Sequence, residues 1–304
     1  MYKFRKKCRL CASEEFELIL DLGKQPPSNS FLTKNRINKK EVKFPLRLYI
    51  CKKCKHLQLL DVVDKKHLFK NYHYFTSANK PIIKHFENYA YTVYNKILKK
   101  RDEPFVVEIG SNDGTLLKQI LKHKVKVLGI EPAKNLAEVS RKMKIPTENS
   151  FFDNNIAKII SKKEKADLII ANNVLGHIDD LNNFIIGIST LLKENGVFVF
   201  EVPYSLNLIK KLEFDTIYHE HISYFSVLPL SKWLKKFNLE IFNIEKQKVH
   251  GGTIRVYVSG KNVFKITKSV QQMKIEEKEF GMNKISTYKK FRENIIELKK
   301  NLHK

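Results

Sequence analysis

The run Val107-Glu-Ile-Gly-Ser-Asn-Asp-Gly114 decides the fold. It ends an apolar stretch, Phe105 to Ile109, on two glycines and leads into Thr115 to Leu121, where Leu117, Ile120 and Leu121 recur at helical spacing. Strand, glycine turn and helix in that order open a parallel β-α-β unit. Working outward, Val125 to Ile130 reads as a second strand ending in Glu131, and Leu168 to Ala171 as a third. Behind the third, Leu181, Phe184, Ile185, Ile188, Leu191 and Leu192 mark a helix, and the Asn195-Gly196 turn opens a further strand, Val197 to Phe200. Leu239 to Glu245 and Thr253 to Val258 flank His250-Gly251-Gly252 and pair as an antiparallel hairpin at the sheet edge. The expectation is an α/β fold with a doubly wound sheet.

Such a sheet takes a nucleotide-like ligand where its first strand turns into its helix. The spacing here is E-x-G-x-x-x-G. Asn112 stands where a dinucleotide site needs glycine, and Thr115-Leu116 follows Gly114 where a phosphate loop needs Lys and then Ser or Thr, so both motifs fail. The spacing suits S-adenosylmethionine, which has no pyrophosphate to cradle, with Glu131 at the tip of the second strand to accept both ribose hydroxyls. The cofactor candidates are Glu108, Gly110, Asn112, Gly114, Glu131 and Asn173; Phe151-Phe152 either stacks on the adenine or belongs to the core. The late antiparallel pair is a feature of class I methyltransferase sheets.

The four cysteines fall as Cys8-x2-Cys11 and Cys51-x2-Cys54. Each knuckle puts two sulfurs on one side of a tight turn, and two knuckles supply the tetrahedron that zinc prefers. A closed four-thiolate site leaves no position for water or substrate, so this zinc folds the module and does not catalyse. The chain has 304 residues, 42% hydrophobic and 11% aromatic, which excludes a mainly disordered protein. Its net charge of +25 favours polyanions, yet the excess is mostly lysine spread along the whole chain. Five basic residues up to Leu10 are followed by no apolar run, which argues against a secretory signal, and no stretch nears the ~20 apolar residues of a spanning helix. The expected compartment is the cytoplasm, where thiols stay reduced.

Seven segments carry a family resemblance: Cys8-Arg-Leu-Cys11, Asp21-Leu-Gly-Lys-Gln-Pro-Pro27, Cys51-Lys-Lys-Cys54, Val107 to Gly114, Asn173-Val-Leu-Gly-His177, Tyr218-His-Glu-His-Ile-Ser-Tyr-Phe-Ser226 and His250-Gly-Gly-Thr-Ile-Arg255. In order and content they resemble the nucleotide-sugar C-methyltransferases, which methylate a carbon next to a ketone on a keto-deoxysugar nucleotide. The resemblance implies His221 as the base that makes the enolate, His177 beside the enolate, Tyr218 and Glu220 orienting substrate or stabilising charge, and Tyr72 closing over the sugar, with Tyr74 two residues away as its rival. Family members continue into a C-terminal Rossmann-like domain; with the sequence ending at Lys304, the resemblance implies a chain without it.

The residues support the chemistry. A carbon α to a ketone becomes nucleophilic when a base removes its proton, and histidine has the pKa for that work. Arg255 either binds a phosphate or pairs with an internal acid. The organisation expected is a zinc module over 1–68, an aromatic and helical connector over 69–103, a catalytic domain over 104–262 and a helical segment over 263–304. In that last segment Tyr288, Phe291, Ile295, Leu298 and Leu302 recur at 3-4-3-4 spacing, an apolar face for the body or for self-association with a partner chain. The expected partner is a nucleotide-sugar substrate, with no specific nucleic acid and no membrane. The competing readings are an RNA methyltransferase that grips phosphates with its module and charge, and an inactive remnant.

Overall fold

The structure is a computed structural model that describes residues 2–32, 34–64, 68, 74–249 and 251–302. Tyr72 and His250 lie outside the described residues.

In chain order the first part holds β1 (Tyr2–Phe4), β2 (Phe16–Gln25), β3 (Phe44–Cys51), β4 (Leu57–Leu59) and β5 (Asp61–Val63). β1 pairs antiparallel with β5, and β2, β3 and β4 form an antiparallel sheet. β3 alternates strictly, Phe44, Leu46, Leu48 and Ile50 being buried with half-exposed residues between them, as one covered face requires. Helix α1 (Lys80–Val93) follows, with Pro81 in its first turn and the Asn79 side chain accepting from the Ile82 N–H. Beyond Val93 the chain continues into a π-helical turn, Tyr94–Leu98, whose Tyr94 ring stacks on His123 at 4.2 Å.

The larger unit alternates as read: β6 (Phe105–Ile109), α2 (Thr115–Leu121), β7 (Lys126–Ile130), α3 (Lys134–Lys142), β8 (Thr147–Glu148), α4 (Asn154–Ser161), β9 (Ala166–Asn172), α5 (Leu181–Leu191) and β10 (Leu192–Pro203). After α6 (Ser205–Lys211), β11 (Ser223–Tyr224) and α7 (Val227–Lys235) come β12 (Leu239–Gln247) and β13 (Thr253–Gly260), then α8 (Lys268–Phe280) and α9 (Ile285–Leu302). Seven strands form one sheet in the order β12-β13-β10-β9-β6-β7-β8. Its strands from β10 to β8 are parallel, and β13 runs antiparallel to both neighbours. β6 and β9 are buried on both faces, hence their unbroken apolar runs.

Two local expectations change. Leu192 belongs to β10, which runs through Asn195-Gly196 with a register shift before Val197. Leu121 is 37% exposed and Leu116 is buried in its place, because α2 is packed from above by α1 as well as from below by the sheet. Of the C-terminal face, Tyr288, Phe291 and Ile295 are buried against β2 and α6, with Lys289 pairing with Glu17 at 3.1 Å, while Leu302 is exposed. That face therefore goes to the body of the molecule. No helix among the described residues is long and apolar enough to cross a membrane.

β11 pairs with β4, so two residues of the larger unit complete the sheet of the cysteine module as β11-β4-β3-β2.

Candidate active site

A cleft of about 1160 Å³ opens at the carboxyl edge of the sheet, more than the roughly 300–1,000 Å³ of a single small-molecule site. Its floor is the turn after β6. Gly110 has φ +67°, and a Cβ there would meet Val174 Cγ2 at 2.5 Å, so this turn needs glycine twice over. Gly114 also has a positive φ, +80°, and leads into α2. The backbone N–H groups of Asn112 and Ala133 donate to the two Glu131 oxygens, each at 2.8 Å. Each oxygen retains another lone pair for a ligand. Burial pushes the Glu131 carboxyl up, against the lowering effect of those two N–H donors.

Glu108 is buried with Oε2 unpaired, and burial, then Asp113 and Glu131, push its pKa well above the usual carboxylate range. Asn173, at φ +55°, lines the cleft with a buried, unpaired Oδ1. Beside it Asn172, which the sequence reading passed over, leaves both side-chain polar atoms buried and unpaired; its place at the end of β9 was the available signal. Asn112 also lines the cleft, and its side chain bonds to the connector. Its Oδ1 accepts from the Thr76 N–H at 3.0 Å and its Nδ2 donates to Tyr74 O at 3.0 Å, while Asp113 accepts from the Ser77 N–H at 2.9 Å. This pair clamps the connector over the cleft. Phe151 and Phe152 both line the cleft, and buried Phe152 also packs edge-on to Phe184 at 5.3 Å.

On the connector, His85 Nε2 donates to Glu201 at 2.8 Å. Arg255 donates to the same Glu201 through Nε and NH2, at 2.8 and 2.7 Å, and its guanidinium lies 3.6 Å over the Tyr89 ring. Arg255 is thus taken by an internal acid.

The Tyr218-His-Glu-His221 segment turns on itself, the His221 N–H donating to Tyr218 O at 2.9 Å. The turn brings the Tyr218 hydroxyl to 2.7 Å from His221 Nε2, to which it donates when Nδ1–H faces Thr216 O at 3.4 Å. Burial, then Glu220, push the Tyr218 phenol up, so it stays a donor. Glu220 accepts from Asn29 Nδ2 of the cysteine module at 2.7 Å, and buried His219 donates to Phe44 O at 3.2 Å. His177 stands opposite, its ring centroid 5.1 Å from that of His221, with burial pushing it down to about 4. A backbone bond from the Ile222 N–H to Gly176 O, 2.8 Å, ties the two histidine loops together.

Cys8, Cys11, Cys51 and Cys54 place their sulfurs within 4.8 Å of one another. Pairs at 3.5 and 3.6 Å are close to the roughly 3.8 Å separation that zinc–sulfur bonds of about 2.3 Å give in a tetrahedron, so the donor set fits zinc. The two knuckles share one backbone form: Ala12 and Lys55, each following the second cysteine, have φ of +60° and +63°, and each donates its N–H to the first cysteine's carbonyl.

Sheet order and cleft together define a class I methyltransferase carrying a four-cysteine zinc module. The family model for a methyltransferase domain matches residues 82–244, that for a zinc binding domain residues 8–69, and that for a C-methyltransferase C-terminal domain residues 248–304. The C-methyltransferase NovU of Streptomyces niveus is 30% identical over 287 residues, 94% of this chain and 68% of that protein. Among solved structures, the PH0226 protein of Pyrococcus horikoshii OT3 is 14% identical with a TM-score of 0.49, covering 62% of this chain and 95% of its own. An S-adenosylmethionine-dependent methyltransferase of Clostridium acetobutylicum ATCC 824 is 17% identical with a TM-score of 0.46, covering 59% and 92%. The chain belongs to the S-adenosylmethionine-dependent C-methyltransferase family. The expectation that it lacks the family's C-terminal domain is overturned by the match over 248–304, a region that supplies β13 to the central sheet and buries Tyr288 and Phe291 in the core.

Proposed function

We propose that this enzyme methylates the carbon α to the ketone of a keto-deoxysugar nucleotide, with His221 as the base. The observation that carries this reading is the pairing of His221 with His177 at one end of a cleft whose other end is the Gly110 turn and Glu131. S-adenosylmethionine supplies an electrophilic methyl on a sulfonium. At its end of the cleft Glu131 accepts from the ribose hydroxyls, the unpaired Glu108 carboxyl faces the cationic amino-acid part, and Asn172 and Asn173 offer their unpaired groups.

At the other end the α-proton passes to His221 Nε2 and the C–H electron pair moves into the enolate; the enolate carbon would then take the methyl as its bond to the sulfonium sulfur breaks, that electron pair staying on sulfur in the leaving S-adenosylhomocysteine. The Tyr218 phenol, which occupies Nε2 at rest, transfers its hydrogen bond to the substrate oxygen, freeing the Nε2 lone pair. His177, neutral at working pH, donates an uncharged N–H to the same oxygen. Glu220 takes sugar hydroxyls, and a connector tyrosine, either Tyr72, which lies outside the described residues, or Tyr74, contacts the sugar. Residues 1–68 form the zinc module, 69–103 the cover, 104–262 the catalytic domain and 263–304 its helical brace, and the enzyme works in the reducing cytoplasm.

The test is incubation with keto-deoxysugar nucleotides in deuterated water, following α-hydrogen exchange and methyl transfer separately. Wild type should do both and His221→Ala neither. Exchange that survives in His221→Ala and disappears in His177→Ala would reverse the two roles.

A further inference from the structure

Arg9 lies inside the first knuckle, between Cys8 and Cys11, and is 1% exposed. A buried guanidinium needs acceptors for its fork, and the places it finds them are informative. NH1 donates to Gln58 Oε1 at 3.2 Å, to Leu59 O at 2.7 Å and to Ile222 O at 3.1 Å; NH2 donates to Asp179 Oδ1 at 3.1 Å. Ile222 follows His221, and Asp179 lies two residues beyond His177. One side chain, rooted between two metal ligands, thus holds both histidine-bearing loops. Gln58, which shares this fork, also donates to Cys8 Sγ at 3.2 Å.

Other links back up each contact without reaching a cysteine. Lys3 and Arg5 also pair with Asp179, at 2.8 and 3.0 Å, and the Leu59 N–H also donates to Ile222 O, at 3.1 Å. The loops thus stay attached when Arg9 is altered, and what it adds is a fixed distance between them, set by a planar fork that lysine cannot reproduce.

We propose that Arg9 is a positioning residue that transmits the state of the four-cysteine site to the His177–His221 pair, so that metal binding sets the catalytic geometry as well as the fold of the module. The proposal rests on the reading of these histidines as the catalytic pair. It makes the module a working wall of the active site, and it makes turnover sensitive to anything that displaces the metal from its thiolates.

The test uses the full zinc-loaded chain with carbon-13 labelled histidine. The ring signals of His177 and His221, the zinc content, kcat and the KM for S-adenosylmethionine are measured for wild type, Arg9→Lys and Asp179→Asn, and the ring signals of wild type again after zinc is withdrawn by a chelator. Arg9→Lys should keep one zinc and a KM within about twofold, lose about 10- to 100-fold in kcat as a misplaced catalytic pair does, and move both ring signals in the direction that zinc withdrawal moves them. Asp179→Asn, which exchanges the charged acceptor at the far end of the link for a neutral one and so weakens it, should move the His177 signal with zinc retained, and it decides the matter should Arg9→Lys fail to hold metal. Ring signals that respond to chelation but not to either variant would overturn the proposal, as would unchanged kcat in both. His221→Ala, measured alongside, separates the two readings: wild-type turnover there would dismiss the catalytic pair, while the ring signals still report on the link through Arg9.

Discussion

Tyr204 donates its phenolic hydrogen to Glu277 across 2.9 Å, joining the end of β10 to helix α8 far along the chain. The same carboxylate accepts from the Val227 N–H and, at 2.8 Å, from the Leu228 N–H, so it caps α7, whose own N-cap residue Ser226 makes no side-chain hydrogen bond. Burial outweighs these donors and pushes Glu277 up to about 7.

Stability should therefore fall as pH rises through this group. Its pKa is raised on folding, so the folded chain binds more protons than the unfolded one between about 4.5 and 7. The contribution is complete below that window and is lost across it, on the order of 3 kcal/mol at 1.36 kcal/mol per unit. Glu277→Gln does not titrate. Thermal unfolding followed from pH 5 to 8 should show a slope in wild type that is flattened in the variant; parallel curves would assign the slope elsewhere.

Metal should be present at one zinc per chain. Zinc in a closed thiolate site contributes on the order of 10–16 kcal/mol to ordering its module, comparable with the whole stability of a domain. Cys51→Ala should lose the metal and unfold the region from Cys8 to Val63, as read by hydrogen exchange. A metal-free variant with native protection there would contradict this.

Glu131→Gln should weaken S-adenosylmethionine binding about 10- to 100-fold, since hydrogen bonds to charged groups are worth roughly 1.5–3 kcal/mol. The variant keeps one carbonyl acceptor for the two N–H donors that now share the carboxylate, so some loosening of the loop is included. Calorimetric titration with unchanged affinity would remove Glu131 from the cofactor site.

Gly110→Ala should fail for two separable reasons, a positive φ and a Cβ placed 2.5 Å from Val174 Cγ2. Adding Val174→Ala relieves the second only. The double variant should regain part of the lost stability while remaining about 1–2 kcal/mol short of Val174→Ala alone, the cost of a left-handed backbone for an L-residue. Full recovery on denaturant titration would show that strain at residue 110 is negligible.

Tyr218→Phe keeps the ring against His221 and removes the hydrogen on Nε2. Turnover should drop about 100- to 1,000-fold, the cost of losing one oxyanion donor, with cofactor affinity unchanged. A weaker cofactor affinity with turnover intact would place the phenol at the wrong end of the cleft.

Strands β6 and β9 were legible because burial on both faces leaves apolar runs that local pattern alone reveals. The two knuckles were legible from spacing, whereas the contact between Tyr218 and His221 depends on the turn their segment makes. The bonds of the Asn112 side chain to the connector were not legible, because a polar residue in a glycine turn serves a ligand or a neighbouring segment with the same atoms, and only the path of residues 74–77 shows these contacts. His85, Asn172 and Arg9 went unread for a related reason. Each gains its meaning from a partner distant in sequence, Glu201, the cleft, and the pair Asp179 and Ile222, and no periodicity records such meetings.

The short strand β11 lends its two residues to a sheet whose nearest strand lies some 165 positions earlier, Ser223 lying opposite Gln58. During synthesis the module emerges before β11, with one edge unpaired and a buried arginine still lacking two acceptors. Its strands wait for most of the chain to leave the ribosome, and an open edge is a place where other chains can pair. Completion of the module is thus a late, long-range closure: its sheet waits for β11, and the exposed interval lengthens with every residue inserted between Gln58 and Ser223.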